Sequence, residues 1–474
     1  MREIAPEQLQ ARIRAENPWW QGGGIDPDQQ ALTPRAYLDL FLPLVSDTGV
    51  RRAVVLMGPR RVGKTVLIHH AIQALLKQGI PPSQIAYVSV DHPLYNDLGL
   101  EALVDLYRAS VSNLPDETTY IFFDEVQYLK GWEVHLKSLV DSHSFLKVIV
   151  SGSAAAALSL KSHESGAGRF TDFLLPPLTF YEYLDLLGQG ALLEEREVEG
   201  KPLFRATDIQ ALNESFLHYL NYGGYPEVVF SETIQSNPSR FIKGDIIDKV
   251  LLRDLPSLYG ITDVQELNKL FTALAFNTAG ELSLQDLSSN SGVAKNTIKR
   301  YIEYLEAAFL IRRVHRIDES AKQFRRARSF KVYLTNPSMR AALFAPAAPE
   351  SQELGALAET AVFSQYFHDE DAQLHYCRWK RGEVDMVRLN AAQKPIWAVE
   401  VKWSNRYATR TQELKALITF CTSNGLSHAW VTTKTASLTA KEGGLAIHFI
   451  PTSELCYTVG HNIVHGKRQP DDFF

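Results

Sequence analysis

Residues 58–65 of this 474-residue chain read Gly-Pro-Arg-Arg-Val-Gly-Lys-Thr, the pattern G-x-x-x-x-G-K-[ST] without a mismatch. The pattern constrains the fold because it works in one setting: an apolar strand before it and a helix opening directly after it. Both are written here. Ala53-Val54-Val55-Leu56-Met57 is a short apolar run, and Thr65–Ile72 has helical spacing. Gly58 and Gly63 let the backbone turn and approach a phosphate. Pro59, Arg60, Arg61 and Val62 complete the loop, and its N–H groups and the helix start at Val66 face the anion. Lys64 is expected to reach the β- and γ-phosphates and the Thr65 hydroxyl to sit on Mg²⁺, so ATP and Mg²⁺ are the expected cofactors.

A second motif complements the loop. Tyr120-Ile121-Phe122-Phe123-Asp124-Glu125 is an apolar run ending in two acids, as a buried parallel strand reads when its carboxyl end meets a ligand. Asp124 is expected to hold Mg²⁺ through its water shell and Glu125 to polarise the attacking water, as in the Walker B pair of hydrolysing ATPases. A helix N-cap pair after a strand is the alternative. Beyond the next strand, Lys147–Val150, Ser151 or Ser153 stands where AAA+ ATPases keep a γ-phosphate sensor; a plain turn is equally compatible.

Length and composition bound the rest. A chain this long is expected to hold roughly two to four domains. The formal charge of -5 and pI near 6.3 leave no global basic field, so any nucleic-acid contact has to come from a local patch. Cys377, Cys421 and Cys456 are scattered without a C-x-x-C spacing, which argues against a disulfide framework or zinc site and for a reducing cytoplasm. Met1–Gln21 is too polar for a signal peptide, and no apolar stretch reaches membrane-span length.

Short apolar runs at 52–57, 85–90, 120–123 and 147–150 alternate with helical spacing at 65–78, 99–113 and 132–141, which predicts a parallel sheet with crossover helices. Residues 1–50 read as a polar lead-in with a glycine loop at 22–24 and a helix at Pro34–Leu44. Residues 154–168 read as loop and 188–202 as a linker or exposed insertion. Residues 206–275 are mostly helical, interrupted at 222–227. From Leu282 the spacing becomes helix, glycine turn at 289–292, then a helix at Val293–Phe309, a helix-turn-helix pattern. Lys295, Asn296, Lys299 and Arg300 lie at the exposed start of the second helix, the part that reaches DNA in such motifs. The bases continue through Arg312, Arg313, Arg316, Lys322, Arg325, Arg326, Arg328 and Lys331. Contact with the phosphates of duplex DNA is one reading; a packing or dimer module with a solvated charged face is the other.

Near the C-terminus, 383–389 and 396–403 read as two strands of a hairpin, with Glu400 and Lys402 on one face of the second. Upstream, 354–367 reads as a helix with Glu359 on its inward stripe, a carboxylate that needs a metal or a lysine as partner. Glu359, Asp385, Glu400 and Lys402 form a metal-nuclease constellation. Asp385 and Glu400 would bind Mg²⁺, Glu359 would serve as a further ligand, and Lys402 would orient or deprotonate the attacking water. A structural charge cluster, with Lys402 neutralising Glu400, is the alternative.

The P-loop, Phe122-Phe123-Asp124-Glu125, Ser151-Gly152-Ser153, Gly168-Arg169, Pro177–Phe180 and Gly223–Glu227 together resemble prokaryotic AAA+-type ATPases of the archaeal ATPase clade. The resemblance implies an α/β fold: a P-loop AAA+-like ATPase core with helical lid and winged helix, plus a C-terminal restriction-endonuclease-like α/β domain of the PD-(D/E)xK type. The expected boundaries are 1–50 for the lead-in, 51–200 for the core, 201–275 for the lid, 276–345 for the winged helix and 346–474 for the nuclease-like domain. Arg169 would contact the γ-phosphate in cis or from a neighbour, like an arginine finger, or else form a loop salt bridge. The expected function is ATP hydrolysis coupled to DNA binding, with Mg²⁺-dependent cleavage or, as the alternative, a regulatory switch that binds DNA or protein and never cuts. DNA is the expected partner, no membrane is, and a homo-oligomer is left open.

Overall fold

The computed structural model describes residues 5–96, 98–111, 118–152, 168–198, 201–322, 329–368, 373–466 and 473. It divides into two compact units, Met1–Leu175 and Pro176–Phe474. Ser153 and the basic residues Arg325, Arg326 and Arg328 lie outside the described residues.

The first unit is a five-stranded parallel sheet, β1 (Ala53–Met57), β2 (Ile85–Ser89), β3 (Thr119–Asp124), β4 (Leu146–Gly152) and β5 (Phe170–Leu174), in the order β2-β3-β4-β1-β5. β1 and β3 are buried along their whole length, which is why they read as continuous apolar runs. Helices Lys64–Lys77, Leu100–Ser110 and Trp132–Ser142 supply the crossovers at the expected places. β5 went unread in the sequence. Its sequence Phe-Thr-Asp-Phe-Leu sets two polar residues inside the strand, and it sits at the sheet edge, beside β1, so it has no apolar run to betray it.

Residues 1–50 are not a separate lead-in. Helix Pro6–Glu16 delivers Asn17, whose amide pairs with both backbone groups of Tyr87, donating to its carbonyl at 2.8 Å and accepting from its N–H at 2.6 Å. The Trp19 and Trp20 indoles both donate to the Ile85 carbonyl, at 2.9 and 2.7 Å. β2 is the last strand on this side of the sheet, and these side chains satisfy the backbone groups that a further strand would have paired. Both sides of the expected boundary at 50/51 lie in the first unit, and residues 176–200 lie in the second. The helix expected at Pro34–Leu44 forms at Leu38–Ser46.

In the second unit the stretch expected as a linker or exposed insertion at 188–202 contains β6 (Leu193–Val198), which pairs antiparallel with β7 (Lys201–Ala206). The hairpin is tied to helix Thr452–Val464: Arg205 pairs with Glu454 at 2.7 Å, and the Phe204 N–H donates to Thr458. The main body is a nine-stranded sheet built from β8 (Glu281–Ser283), β9 (Ile311–Ile317), β10 (Ser329–Leu334), β11 (Leu374–Trp379), β12 (Gly382–Leu389), β13 (Pro395–Glu400), β14 (His428–Thr433), β15 (Leu438–Glu442) and β16 (Leu445–Pro451). Its order is β15-β16-β14-β13-β12-β11-β9-β10-β8. β9 pairs parallel with β11, so the expected boundary at 345/346 crosses a continuous sheet. Such long-range register between strands on either side of a presumed linker leaves no local trace in a sequence.

The helix-turn-helix forms as Leu284–Ser291 and Lys295–Ala307, with Ser283 capping the first helix and Gly292 at φ 75° between them. β9 and β10 follow as an antiparallel pair, with β8 beside β10. Among the described residues no helix is long and apolar enough to cross a membrane.

Candidate nucleotide site and a buried acidic cluster

The glycine loop leaves the carboxyl end of β1, where the strand order reverses and ligands of open parallel sheets bind. Gly63, at φ 92°, makes the turn into helix Lys64–Lys77. A Cβ on Gly58 would run into the Leu175 carbonyl oxygen, so the loop backbone packs closer there than any side chain allows. Pro59 and Val62 contribute carbonyls: Val62 accepts from the Arg35 guanidinium at 2.9 Å, and Pro59 and Gly58 accept from the Lys64 ammonium at 2.8 and 3.0 Å. Arg61 takes a left-handed backbone at φ 65°, and Arg60 reaches the Tyr128 hydroxyl at 3.3 Å. Val66 lies half-buried on the first turn of the helix. Burial lowers the Lys64 pKa, against the opposing pull of Glu125 and Asp124.

Asp124, 2% exposed, gathers three hydroxyls. Thr65 donates to Oδ2 at 2.7 Å, Tyr87 donates to the same oxygen at 3.0 Å, and Ser151 donates to Oδ1. Thr65, Asp124 and Ser151 are thus brought together: β4 lies between β1 and β3 and carries Ser151 to both. Glu125 follows at φ 59°, a left-handed conformation uncommon for a residue with a Cβ. Its carboxylate accepts from Gln127, and its pKa is raised, by burial first, although Lys64 works the other way. A buried lysine, a hydroxyl–carboxylate pair at the helix start and a glycine turn leading into that helix fit a Mg²⁺-bound triphosphate.

Arg169 is not brought to this site within the chain. It precedes β5, its carbonyl accepts from the Ala53 N–H at the amino end of β1, and its guanidinium pairs with Asp141 at 2.6 Å on an exposed surface. β1 and β5 are parallel, so the loop lies a strand length away, about 17 Å. The loop salt bridge is what forms, and the cis arginine finger is withdrawn.

Tyr87 was missed in the sequence; its signal is a phenol inside the apolar run Ile85–Val90. Its ring lies 4.6 Å, centroid to centroid, from that of His69, and its backbone is held by Asn17. Tyr87→Phe keeps the ring and removes the donor to Asp124. Outer donors to a metal-holding carboxylate matter by about 10–100-fold. The expected result is a rise of about tenfold in the Mg²⁺ concentration for half-maximal ATP turnover; an unchanged Mg²⁺ dependence would reduce Tyr87 to packing.

His69 itself is pushed down to about 4 by burial. Unfolded, it would titrate near 6.5. As pH falls from about 6.5 to 4 the unfolded chain takes a proton that the folded one refuses, so stability is lost across that window. The loss from this group is on the order of 1–3 kcal/mol. His69→Phe should shrink the difference in unfolding free energy between neutral and acid pH, read from urea titrations, by that amount; an identical acid loss in both proteins counts against it.

The second site lies in the nine-stranded sheet. The Lys402 ammonium bridges Glu400 Oε1 at 2.8 Å and Asp385 Oδ2 at 3.1 Å, and the Val401 N–H donates to Asp385 Oδ2 at 2.9 Å. Glu359, from helix Leu354–Gln365, accepts from the Tyr333 hydroxyl at 2.6 Å. So Glu359, Asp385, Glu400 and Lys402 are brought together. With them comes Lys331, which the sequence assigned to the DNA-facing island. Its side chain is 4% exposed and its ammonium lies 2.8 Å from Glu383, 2.9 Å from Glu359 and 3.5 Å from Asp385. The signal was there: a lysine inside the apolar run Phe330-Lys331-Val332-Tyr333-Leu334 is buried on a strand and needs an acid.

Burial and repulsion from Asp385 raise the Glu359 and Glu400 carboxyls to about 7 and 8, while Lys402 and Lys331 hold Asp385 below its usual range. Among the described residues no three His, Cys, Asp or Glu side chains converge where a metal ion could sit. The expected Mg²⁺ ligation by Asp385 and Glu400 does not fit this arrangement, because ammonium groups hold both Asp385 oxygens and Glu400 Oε1.

Two further described bases of the island are also paired within the chain. Arg313 pairs with Glu306, and Arg316 faces Glu281. Lys295, Asn296, Lys299 and Arg300 remain exposed at the start of their helix, with Lys299 loosely beside Glu303 at 3.8 Å.

Comparison with known proteins agrees with the first site. Residues 50–184 match the AAA domain family AAA_14. Residues 213–350 and 354–455 match two domains of unknown function, DUF8612 and DUF4143. An uncharacterized protein of Methanocaldococcus jannaschii is 23% identical over 370 residues, 76% of this chain and 77% of that one. An uncharacterized protein of Haemophilus influenzae is 25% identical over 294 residues, 60% of this chain and 68% of that one. The Walker-type ATPase of Pyrococcus abyssi overlaps 66% of this chain and 99% of its own at a TM-score of 0.36 and 17% identity. The Aeropyrum pernix ORC1 protein, solved in complex with DNA, overlaps 65% and 91% at 0.31 and 14%. The family match and the strand, loop and carboxylate geometry agree that residues 50–184 carry an AAA-type P-loop domain.

Proposed function

We propose that the chain is an AAA+-type ATPase whose nucleotide state governs DNA binding by a winged helix. The observation that carries the first half is the meeting of Thr65, Ser151 and the Asp124–Glu125 pair beside the glycine loop. The loop amides and helix start bind the triphosphate, and Lys64 leaves its own loop carbonyls for the β- and γ-phosphates. Thr65 and Asp124 would hold Mg²⁺, which when bound would supply charge neutralisation at the phosphate. Glu125, with its raised pKa, accepts a proton from the attacking water. ATP binding by the native chain, lost in Lys64→Ala, tests this; no affinity for ATP in calorimetry rejects it.

The DNA half is supported by the helix pair, the strand pair β9–β10 after it and the exposed cations at the second helix start. Lys299→Ala with Arg300→Ala should weaken binding to duplexes of unrelated sequence about equally and lower the salt slope of log K by about one per lost phosphate contact. An unchanged slope favours the packing-module reading. The hairpin and flanking helix that frame Asp385, Glu400 and Lys402 support a restriction-endonuclease-like domain. Between Mg²⁺-dependent cleavage and a switch that never cuts, the buried Lys331 favours the switch.

A further inference from the structure

We propose that the Lys331 ammonium is the resident cation of the Glu359–Glu383–Asp385–Glu400 cluster, closing it to divalent metal. The inference concerns the nine-stranded sheet of the second unit, and its test does not involve ATP.

Three carboxylates surround one buried ammonium at 2.8, 2.9 and 3.5 Å. A divalent ion held by such carboxylates needs their oxygens at about 2.0–2.6 Å, and Lys331 stands among them. Lys402 and the Val401 N–H hold Asp385 Oδ2 from the other side. The Lys331 ammonium is the group facing Oδ1. Glu359 Oε1 already accepts from both Lys331 and the Tyr333 hydroxyl. Glu400 Oε2 is buried without a hydrogen-bond partner, and one oxygen does not make a metal site.

The placement depends on the sheet. β9 and β11 lie between β10, which carries Lys331, and β12, which carries Asp385. A flat sheet would hold those strands about 14 Å apart. Curl of the sheet, together with the length of the lysine side chain, closes the gap. The cation is thus delivered by the strand pair that follows the helix-turn-helix, and the parallel β9–β11 register holds it in place.

The test is a Mn²⁺ titration followed by electron paramagnetic resonance. All proteins are nucleotide-free and carry Asp124→Asn to silence the loop site. With Lys331 present, no Mn²⁺ binding that depends on Asp385 is expected. Lys331→Met should gain a site at least about tenfold tighter, lost again on adding Asp385→Asn, because the repelling charge is gone and the carboxylates remain. Mn²⁺ should also raise the melting temperature of Lys331→Met. Binding by the Lys331 protein that Asp385→Asn abolishes overturns the proposal, and so does a folded Lys331→Met that gains no site. Should Lys331→Met fail to fold, the Lys331 protein against its Asp385→Asn partner decides.

Discussion

Glu125→Gln is expected to slow ATP turnover by about 10²–10⁴-fold, the range a positioned general base supplies, while ATP affinity changes little. Glutamine keeps the shape of the side chain and its contact with Gln127. It disturbs neither the Lys64 loop bonds nor the Thr65–Asp124 pair. What it removes is a carboxylate that burial has made more basic than an exposed glutamate. Turnover measured beside nucleotide affinity separates the two effects. Turnover within about twofold of native would deny Glu125 this role, since loss of a proton acceptor cannot be that mild.

Lys331→Met is expected to cost about 3–5 kcal/mol of stability without metal, the usual result of removing one partner of a buried ion cluster. Glu359, Glu383 and Asp385 would lose their shared cation. Methionine fills nearly the same volume, so the loss reports charge rather than a cavity. Urea unfolding gives the number. Adding Glu359→Gln should return part of it, because two neighbours of one network do not add. A loss under about 1 kcal/mol would mean that the cluster behaves as an exposed one, where ion pairs contribute little. The DNA-contact role read for Lys331 predicts that small value, so one measurement decides between the two roles.

The sequence by itself determined the first site. The P-loop is local: eight consecutive residues specify a turn, a helix start and a phosphate grip, and the runs on either side give the strand and the helix. β1 to β4 were legible because buried parallel strands are apolar throughout. β5 was not, because a five-residue edge strand interrupted by Thr171 and Asp172 carries little periodic signal.

Tertiary structure alone decided which charges meet. Lys331 sits among basic residues along the chain and among carboxylates in space. Arg169 is near motif residues in sequence and at the far end of the sheet from the loop. Tyr87 reaches Asp124 only because β2 and β3 are neighbours. The physical reason is the same each time. Periodicity shows which face of an element is buried, but register and sheet curl choose the partner, and contacts between distant residues fix both.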